Sequence, residues 1–305
     1  MKVLLSWLRE FAPLTQDAKT LGNAMSDLGM AVEEMDTFGG LESIVVAKVL
    51  ETRAHPQADR IQLVDVDAGD GEALKIVCGA FNMQPGDLIP LATLGTVMPN
   101  GMEIARRKMR GEWSNGMLCS STELGLGADA SGIMILPPDL ELGAGLMDEL
   151  GLTGDVVYDL EINPNRPDAM SMVGVARDLA GRMGVPFAIP DWEFSENSQD
   201  VHDAAKIVIK DPDLCRKFTA RVVRDVHLGP SPVQRQIRLT LAGMRPISNI
   251  VDASNYVMLE LGIPNHTYDL ALVPDGELRV ARSPGGETVT TLDDIERTTA
   301  EGDAV

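Results

Sequence analysis

Arg106, Arg107, Lys108 and Arg110 place four cations within a run of five residues. Guanidinium forks and an ammonium this close together suit the gripping of phosphate oxygens, and the nearby Phe81 and Trp113 could supply faces on which bases stack. Aromatic residues make up only 4% of the chain, so a basic run in an ordinary solvated strand or loop is the competing reading. His266 offers a second kind of chemistry. An imidazole can orient or deprotonate water, and an amide such as that of Asn255 can hold a carbonyl or a hydroxyl, although a single histidine out of context is more often structural. The run Asn163-Pro164-Asn165-Arg166-Pro167-Asp168 gathers four polar side chains at one junction. There the structural reading is the stronger, because the prolines fix the backbone, Asp168 can cap a helix and Arg166 can pair with a carboxylate. Cys78, Cys119 and Cys215 are widely spaced and form no CxxC pair, and none of the four histidines is spaced as a ligand pair. Reduced, buried thiols and no metal site are expected.

These residues need elements to hold them. Leu21, Met25 and Leu28, with Ala24, repeat at helical spacing and stop at Gly29, which predicts an amphipathic helix and a turn. From Ile44 the period becomes that of strands, over 44–50, 61–67 and 74–78, each bounded by Gly, Pro or Asp turns, with shorter apolar runs at 88–94 and 132–136. Short strands in such a series predict a small, partly open barrel. Residues 156–162 read as another strand that passes through the 163–168 turn into a helix. That helix carries Met172, Val175, Ala176, Leu179 and Met183, with Ser171 or Asp168 as N-cap and Gly184 past its end. Residues 192–202 are polar and acidic, as a linker would be. Beyond them a third region begins with the runs 205–209 and 219–223, contains a helix near 231–242 and ends in a turn-rich stretch at 288–303.

A chain of 305 residues, 44% of them hydrophobic, exceeds what one core usually supports, so two or three domains are expected. The net charge of -20 argues against tight, non-specific binding to polyanions. It does not exclude a local basic site, because charges beyond a Debye length of about 8 Å are largely screened. No apolar run approaches the roughly eighteen residues that cross a bilayer, and residues 1–8 carry a charge and a Trp where a signal peptide needs an apolar core, so a cytoplasmic protein without membrane contact is expected.

Three separated blocks resemble the N-terminal part of the bacterial phenylalanyl-tRNA synthetase beta subunit. The first is Ile76-Val77-Cys78-Gly79-Ala80-Phe81-Asn82, followed by Arg106-Arg107-Lys108-Met109-Arg110-Gly111 and Ser114-Asn115-Gly116-Met117-Leu118-Cys119-Ser120. It is similar to the oligonucleotide-binding fold of tRNA-binding modules. The second is the 163–168 run with Gly174-Val175-Ala176-Arg177-Asp178-Leu179, similar to the point where the family's first domain resumes after its inserted barrel. The third is Arg245-Pro246-Ile247-Ser248-Asn249-Ile250-Val251-Asp252-Ala253-Ser254-Asn255-Tyr256-Val257-Met258-Leu259-Glu260-Leu261-Gly262, with His266 after it, similar to the family's editing domain. The chain departs from the family at Ala130, where a histidine is common, and at Thr267-Tyr268, where Ala-Phe is.

The resemblance implies an α+β, multi-domain protein: a five-stranded OB-fold-like β-barrel (41–151) inserted in a small discontinuous α+β domain (1–40 and 152–190), then part of an α+β editing domain (200–305) that stops at Val305. It implies tRNA binding, with Arg106, Arg107, Lys108 and Arg110 as the contact, and an editing pocket for misacylated tyrosyl-tRNA that includes Ser254, Asn255 and His266. ATP and magnesium serve the full enzyme at a class II site in its alpha subunit, so no cofactor and no aminoacylation residue is expected in this chain. The implied partners are tRNA and the alpha subunit, in an assembly of two alpha and two beta. Two rival readings are a stand-alone tRNA-binding protein that uses only the barrel, against which the third block counts, and an editing hydrolase acting in trans, which would want a complete third domain.

Overall fold

The run expected to be a strand at Val156–Ile162 is the centre of a three-stranded antiparallel sheet in the computed structural model, which describes residues 1–37, 41, 43–127, 129–291 and 293–305. The expected domain boundary at residue 40 lies outside the described residues. The protein is α+β and divides into two units, Met1–Pro190 with Gly229–Asn265, and Asp191–Leu228 with His266–Val305.

In chain order the first unit comprises β1 (Lys2–Leu4), α1 (Leu5–Leu8), α2 (Ala18–Asp27), β2 (Met30–Thr37), β3 (Ile44–Ala54), β4 (Gln62–Asp67), β5 (Ala73–Cys78), β6 (Leu88–Ala92), β7 (Arg107–Met109), β8 (Glu112–Ser114) and β9 (Met117–Leu118). It continues with α3 (Leu146–Glu149), β10 (Val156–Ile162), α4 (Met172–Met183), α5 (Val233–Leu241) and α6 (Asn249–Leu261).

β10 lies between β1 and β2, with Tyr158 opposite Val3 on one side and Met35 on the other. Strands from the two sides of the 41–151 stretch therefore pair through β10. Tyr158 is fully buried; its hydroxyl donates to the Ala18 carbonyl (2.9 Å), and burial pushes its pKa up to about 12. Local capping sets the ends of α2 and α4. Asp17 accepts from the Thr20 amide (2.9 Å) and Ser171 from the Gly174 amide (3.0 Å), while Gly29 (φ 82) and Gly184 (φ 68) take the left-handed turns that end them. Met172, Val175, Ala176 and Leu179 form the buried face of α4. A Cβ on Gly174 would stand 1.7 Å from the Asp168 carbonyl oxygen, so only glycine fits there. Arg166 donates to the Leu28 carbonyl (3.1 Å) and to both Asp168 oxygens (3.1 and 3.0 Å), and also pairs with Asp178. The polar run 163–168 thus ties a turn to the end of α2 and the side of α4.

The second sheet has five antiparallel strands in the order β5-β4-β3-β6-β9. Period-two alternation sorts its side chains between two cores. Ala47, Val49, Ile89 and Leu91 point into the sheet's own core with Val64, Val66 and Ile76, whereas Ile44, Val46, Leu88 and Ala92 join the core that also holds Trp7, Tyr158 and Leu179. All five residues of β6 are accordingly buried. The sheet curls, and the chain just ahead of β9 closes on β5: the Asn115 amide donates to the Lys75 carbonyl (3.0 Å) and the Val77 amide to Ser114 Oγ (3.0 Å). Gly116 lies in the bend, where a Cβ would stand 2.9 Å from the Ala92 carbonyl oxygen.

α6 has no counterpart among the expected elements, yet its ends are marked by Ser248, which accepts from the Val251 amide (3.5 Å), and by Gly262 (φ 73). Asp252 in its first turn is 2% exposed and accepts from Ser231 Oγ (2.5 Å) and the Ile247 amide (2.7 Å), which ties the start of α5 to that of α6. The pair packs on the N-terminal helical turn. Tyr256 stacks on Trp7 with centroids 4.2 Å apart, the Trp7 indole donates to Glu260 (2.8 Å), and Arg238 donates to the Tyr256 hydroxyl (2.7 Å) and to Glu10 (2.5 Å). Burial raises the pKa of both Tyr256 and Glu260. Asp252→Ala is expected to cost about 3 kcal/mol, because two hydrogen bonds to a charged acceptor go and the Ile247 amide is left unpaired. Urea titration followed by Trp fluorescence measures it, and an unmoved midpoint would contradict this role.

The second unit comprises β11 (Lys206–Ile209), parallel to β12 (Glu277–Val280); β13 (Arg282–Pro284), antiparallel to β16 (Glu301–Ala304); and β14 (Thr288–Thr290), antiparallel to β15 (Glu296–Thr298). The stretch expected to be turn-rich thus holds the β14–β15 hairpin and β16, which pairs back to β13. Among its described residues only Ser283 is buried. Two of the runs noted in the sequence do not form strands. Residues 219–223 pair with no strand among the described residues, and Val223 is 74% exposed. In 132–136 the backbone of Ile133 is held by the Asn82 side chain (2.8 and 3.0 Å), and only Leu136 reaches a strand, through one bridge to Leu88. β-branched composition alone does not make a strand when no neighbour completes the ladder.

Candidate nucleic-acid interface

The basic run folds into a two-stranded ribbon. β7 and β8 pair Arg107 with Ser114, Lys108 with Trp113 and Met109 with Glu112. Their turn uses Arg110 (φ 49) and Gly111 (φ 99), the two left-handed residues of a tight hairpin whose twist matches the strands. Arg106, Arg107, Lys108 and Arg110 are all exposed, and none pairs with a carboxylate among the described residues. Their charge is therefore free for an external anion, in a chain of net charge -20. Trp113 is 43% exposed, with the Arg106 guanidinium 4.8 Å and the Lys108 ammonium 5.8 Å from its ring. Phe81 is 58% exposed.

A histidine that the sequence did not single out supports this ribbon. His55 is buried at the end of β3; its Nδ1 accepts from the Gln57 amide (3.1 Å), so its Nε2 carries the proton and donates to the Met109 carbonyl (3.3 Å). On the opposite side, Ser114 is buried beside β5, and Glu112 pairs with Lys75 (3.2 Å). His55→Ala is expected to loosen β7 and to lower folding stability by about 1 kcal/mol. Faster amide exchange in 107–114 is the readout, and unchanged exchange there would show that His55 does not hold the ribbon.

Of the residues expected in a hydrolytic pocket, Ser254 and Asn255 are neighbours on α6 in the first unit, and His266 lies in the second. Ser254 is engaged: its hydroxyl donates to the Asn265 carbonyl (3.1 Å), and the Asn265 amide returns a bond to the Ser254 carbonyl (3.2 Å). Asn255 is half-buried, and its amide has no hydrogen-bond partner among the described residues. His266 is exposed, its ring edge-on to Tyr268 at 4.6 Å. Cys78, Cys119 and Cys215 are free thiols, and burial pushes Cys119 up to about 12. Among the described residues no cluster of His, Cys, Asp and Glu could hold a metal ion, and no helix is long and apolar enough to cross a membrane.

Two family models match the chain, one described as "Putative tRNA binding domain" over residues 44–145 and one as "B3/4 domain" over residues 214–305. The chain is 44% identical over 298 residues to the phenylalanine-tRNA ligase beta subunit of Syntrophus aciditrophicus, covering 97% of this chain and 37% of that protein. Against the beta subunit of Nitratidesulfovibrio vulgaris it is 44% identical over 304 residues, covering 99% and 38%. Against that of Geobacillus kaustophilus it is 39% identical over 309 residues, again covering 99% and 38%. The chain thus spans well under half the length of these relatives. Among solved structures, a MetRS related protein from Pyrococcus horikoshii aligns over 33% of this chain and 85% of its own at 18% identity, with a TM-score of 0.25 that carries no weight here. Matched from end to end by such relatives and bearing a tRNA-binding and a B3/4 region in order, the chain belongs to the phenylalanine-tRNA ligase beta-subunit family, as its N-terminal region.

Proposed function

We propose that this chain works within a phenylalanine-tRNA ligase as the beta subunit's N-terminal region, binding tRNA through the basic ribbon and contributing Ser254, Asn255 and His266 to a pocket that hydrolyses misacylated tyrosyl-tRNA. The observation that carries the reading is similarity along 97% of the chain at 44% identity. The exposed, unpaired cations of the 106–110 run support the tRNA contact. The free amide of Asn255 and the accessible imidazole of His266 suit the holding of an ester and the orienting of water. In this reading residues 41–151 are an OB-fold-like barrel inserted between 1–40 and 152–190, which the pairing of β1 and β2 with β10 supports, and 200–305 belong to the editing domain. Synthesis with ATP and magnesium belongs to the alpha subunit, in a cytoplasmic assembly of two alpha and two beta. Titrating fluorescent tRNA with the chain at low and moderate salt tests the binding role. Saturable, salt-sensitive binding is expected, and no binding even at low salt would remove it.

A further inference from the structure

Trp113 contributes to neither hydrophobic core, and 43% of its surface is open. A large indole on a two-stranded ribbon gains little for folding there, but it presents a flat π-face held in place. The two left-handed turn residues set the ribbon's twist, the buried Ser114 anchors the position next to Trp113, and His55 holds the opposite strand through the Met109 carbonyl. Two cations without carboxylate partners lie against the ring, Arg106 at 4.8 Å and Lys108 at 5.8 Å. A base stacked on this ring would therefore have its own phosphates within reach of positive charge.

We propose that Trp113 is a stacking platform for an unpaired nucleobase, so that the Arg106–Ser114 ribbon takes a single-stranded or unstacked segment of RNA and not the side of a duplex. This rests on the reading that the region binds tRNA. In an A-form duplex the base faces are covered by their neighbours and the major groove is too deep and narrow to admit an indole, so only a loop, bulge or end offers a face. An acidic peptide would satisfy the cations but has no planar group for the ring. The match of residues 44–145 to a tRNA-binding family model favours RNA over such a peptide.

The test uses the full chain with Trp192→Phe, because Trp7 is buried and Trp192 is the other exposed indole, which leaves Trp113 as the responsive fluorophore. Three probes are titrated: tRNA, an unstructured pyrimidine-rich oligonucleotide, and a blunt RNA duplex of the same length, with polyglutamate as the peptide control. Quenching by tRNA and the single strand, with the duplex bound at least tenfold more weakly, is expected. Followed with fluorescently end-labelled probes, because these variants lack the Trp113 signal, Trp113→Ala should lower single-strand affinity about tenfold or more without changing the salt slope, since stacking removes no phosphate contact, and Trp113→Phe should restore most of it. Equal affinity for single strand and duplex, or a Trp113→Ala chain that binds as the parent does, overturns the stacking platform while leaving the tRNA role intact. Loss of the salt slope in Trp113→Ala would show that the ring only positions the cations, and also overturns it. Preference for polyglutamate over every RNA, or no RNA binding at all, would defeat the tRNA reading itself.

Discussion

Replacing Arg106, Arg107, Lys108 and Arg110 together with alanine is expected to weaken tRNA binding by about two to three orders of magnitude near 0.15 M salt. Each phosphate contact contributes roughly 0.7 to 0.9 to the slope of log affinity against log salt, so four lost contacts flatten that slope by about 3. The structure makes the four residues equivalent in one respect: all are exposed, and none pairs with a carboxylate among the described residues, so no internal ion pair competes for them. In a chain of net charge -20 few other surfaces can substitute. Parallel measurement of parent and variant between 0.05 and 0.3 M salt, roughly the range over which counterion release is resolved, checks both numbers. An unchanged slope would move the RNA contact to another part of the surface.

The second large effect concerns His266. In a full-length beta subunit with its alpha partner, His266→Ala is expected to slow hydrolysis of tyrosyl-tRNA by about a hundredfold or more, the usual contribution of a positioned general base. Attachment of phenylalanine should be nearly untouched, since the proposed reading places synthesis in the alpha subunit. Such a second site is useful because a hydrophobic pocket rejects an added hydroxyl only by on the order of a hundredfold. Asn255→Ala tests the complementary role of holding the ester, and should lower the rate while leaving its pH profile in place. The 305-residue chain by itself is expected to hydrolyse slowly, because His266 and its neighbour Tyr268 stand exposed to water that a working pocket excludes. Full editing by the His266→Ala enzyme would refute the assignment, as would rapid hydrolysis by the chain alone.

Much of the fold was legible because its signals are local. Ser171 and the glycines at 29 and 184 announce helix ends through a few neighbouring residues, and the structure uses each as expected. The strand period of 44–50, 61–67 and 74–78 survives in β3, β4 and β5 because each finds partners on an antiparallel sheet. Where a signal needed a distant partner, composition misled. Residues 219–223 have the composition of a strand but no strand neighbour among the described residues, and the two-sided burial of β6 emerges only once two cores share it. α6 was missed although Ser248 and Gly262 bracket it, because its apolar residues do not mark one clear face.

For the candidate sites, residue type and spacing alone marked the cations at 106–110 and the aromatic Trp113, since charge and ring are properties of single residues, whereas the His266 block was marked by its resemblance to the editing domain. Which of them act together is a matter of register and long-range packing. The hairpin turn at Arg110 and Gly111 puts Lys108 opposite Trp113, and His55, far away along the chain, reaches the Met109 carbonyl only because β3 ends beside the ribbon. Folding also engages Ser254 with Asn265, while the side-chain amide of Asn255 has no partner among the described residues. A side chain's chemistry is written at its own position, whereas its partners are set by backbone hydrogen bonds and buried surfaces that join residues far apart in the chain, and these the tertiary structure alone decided.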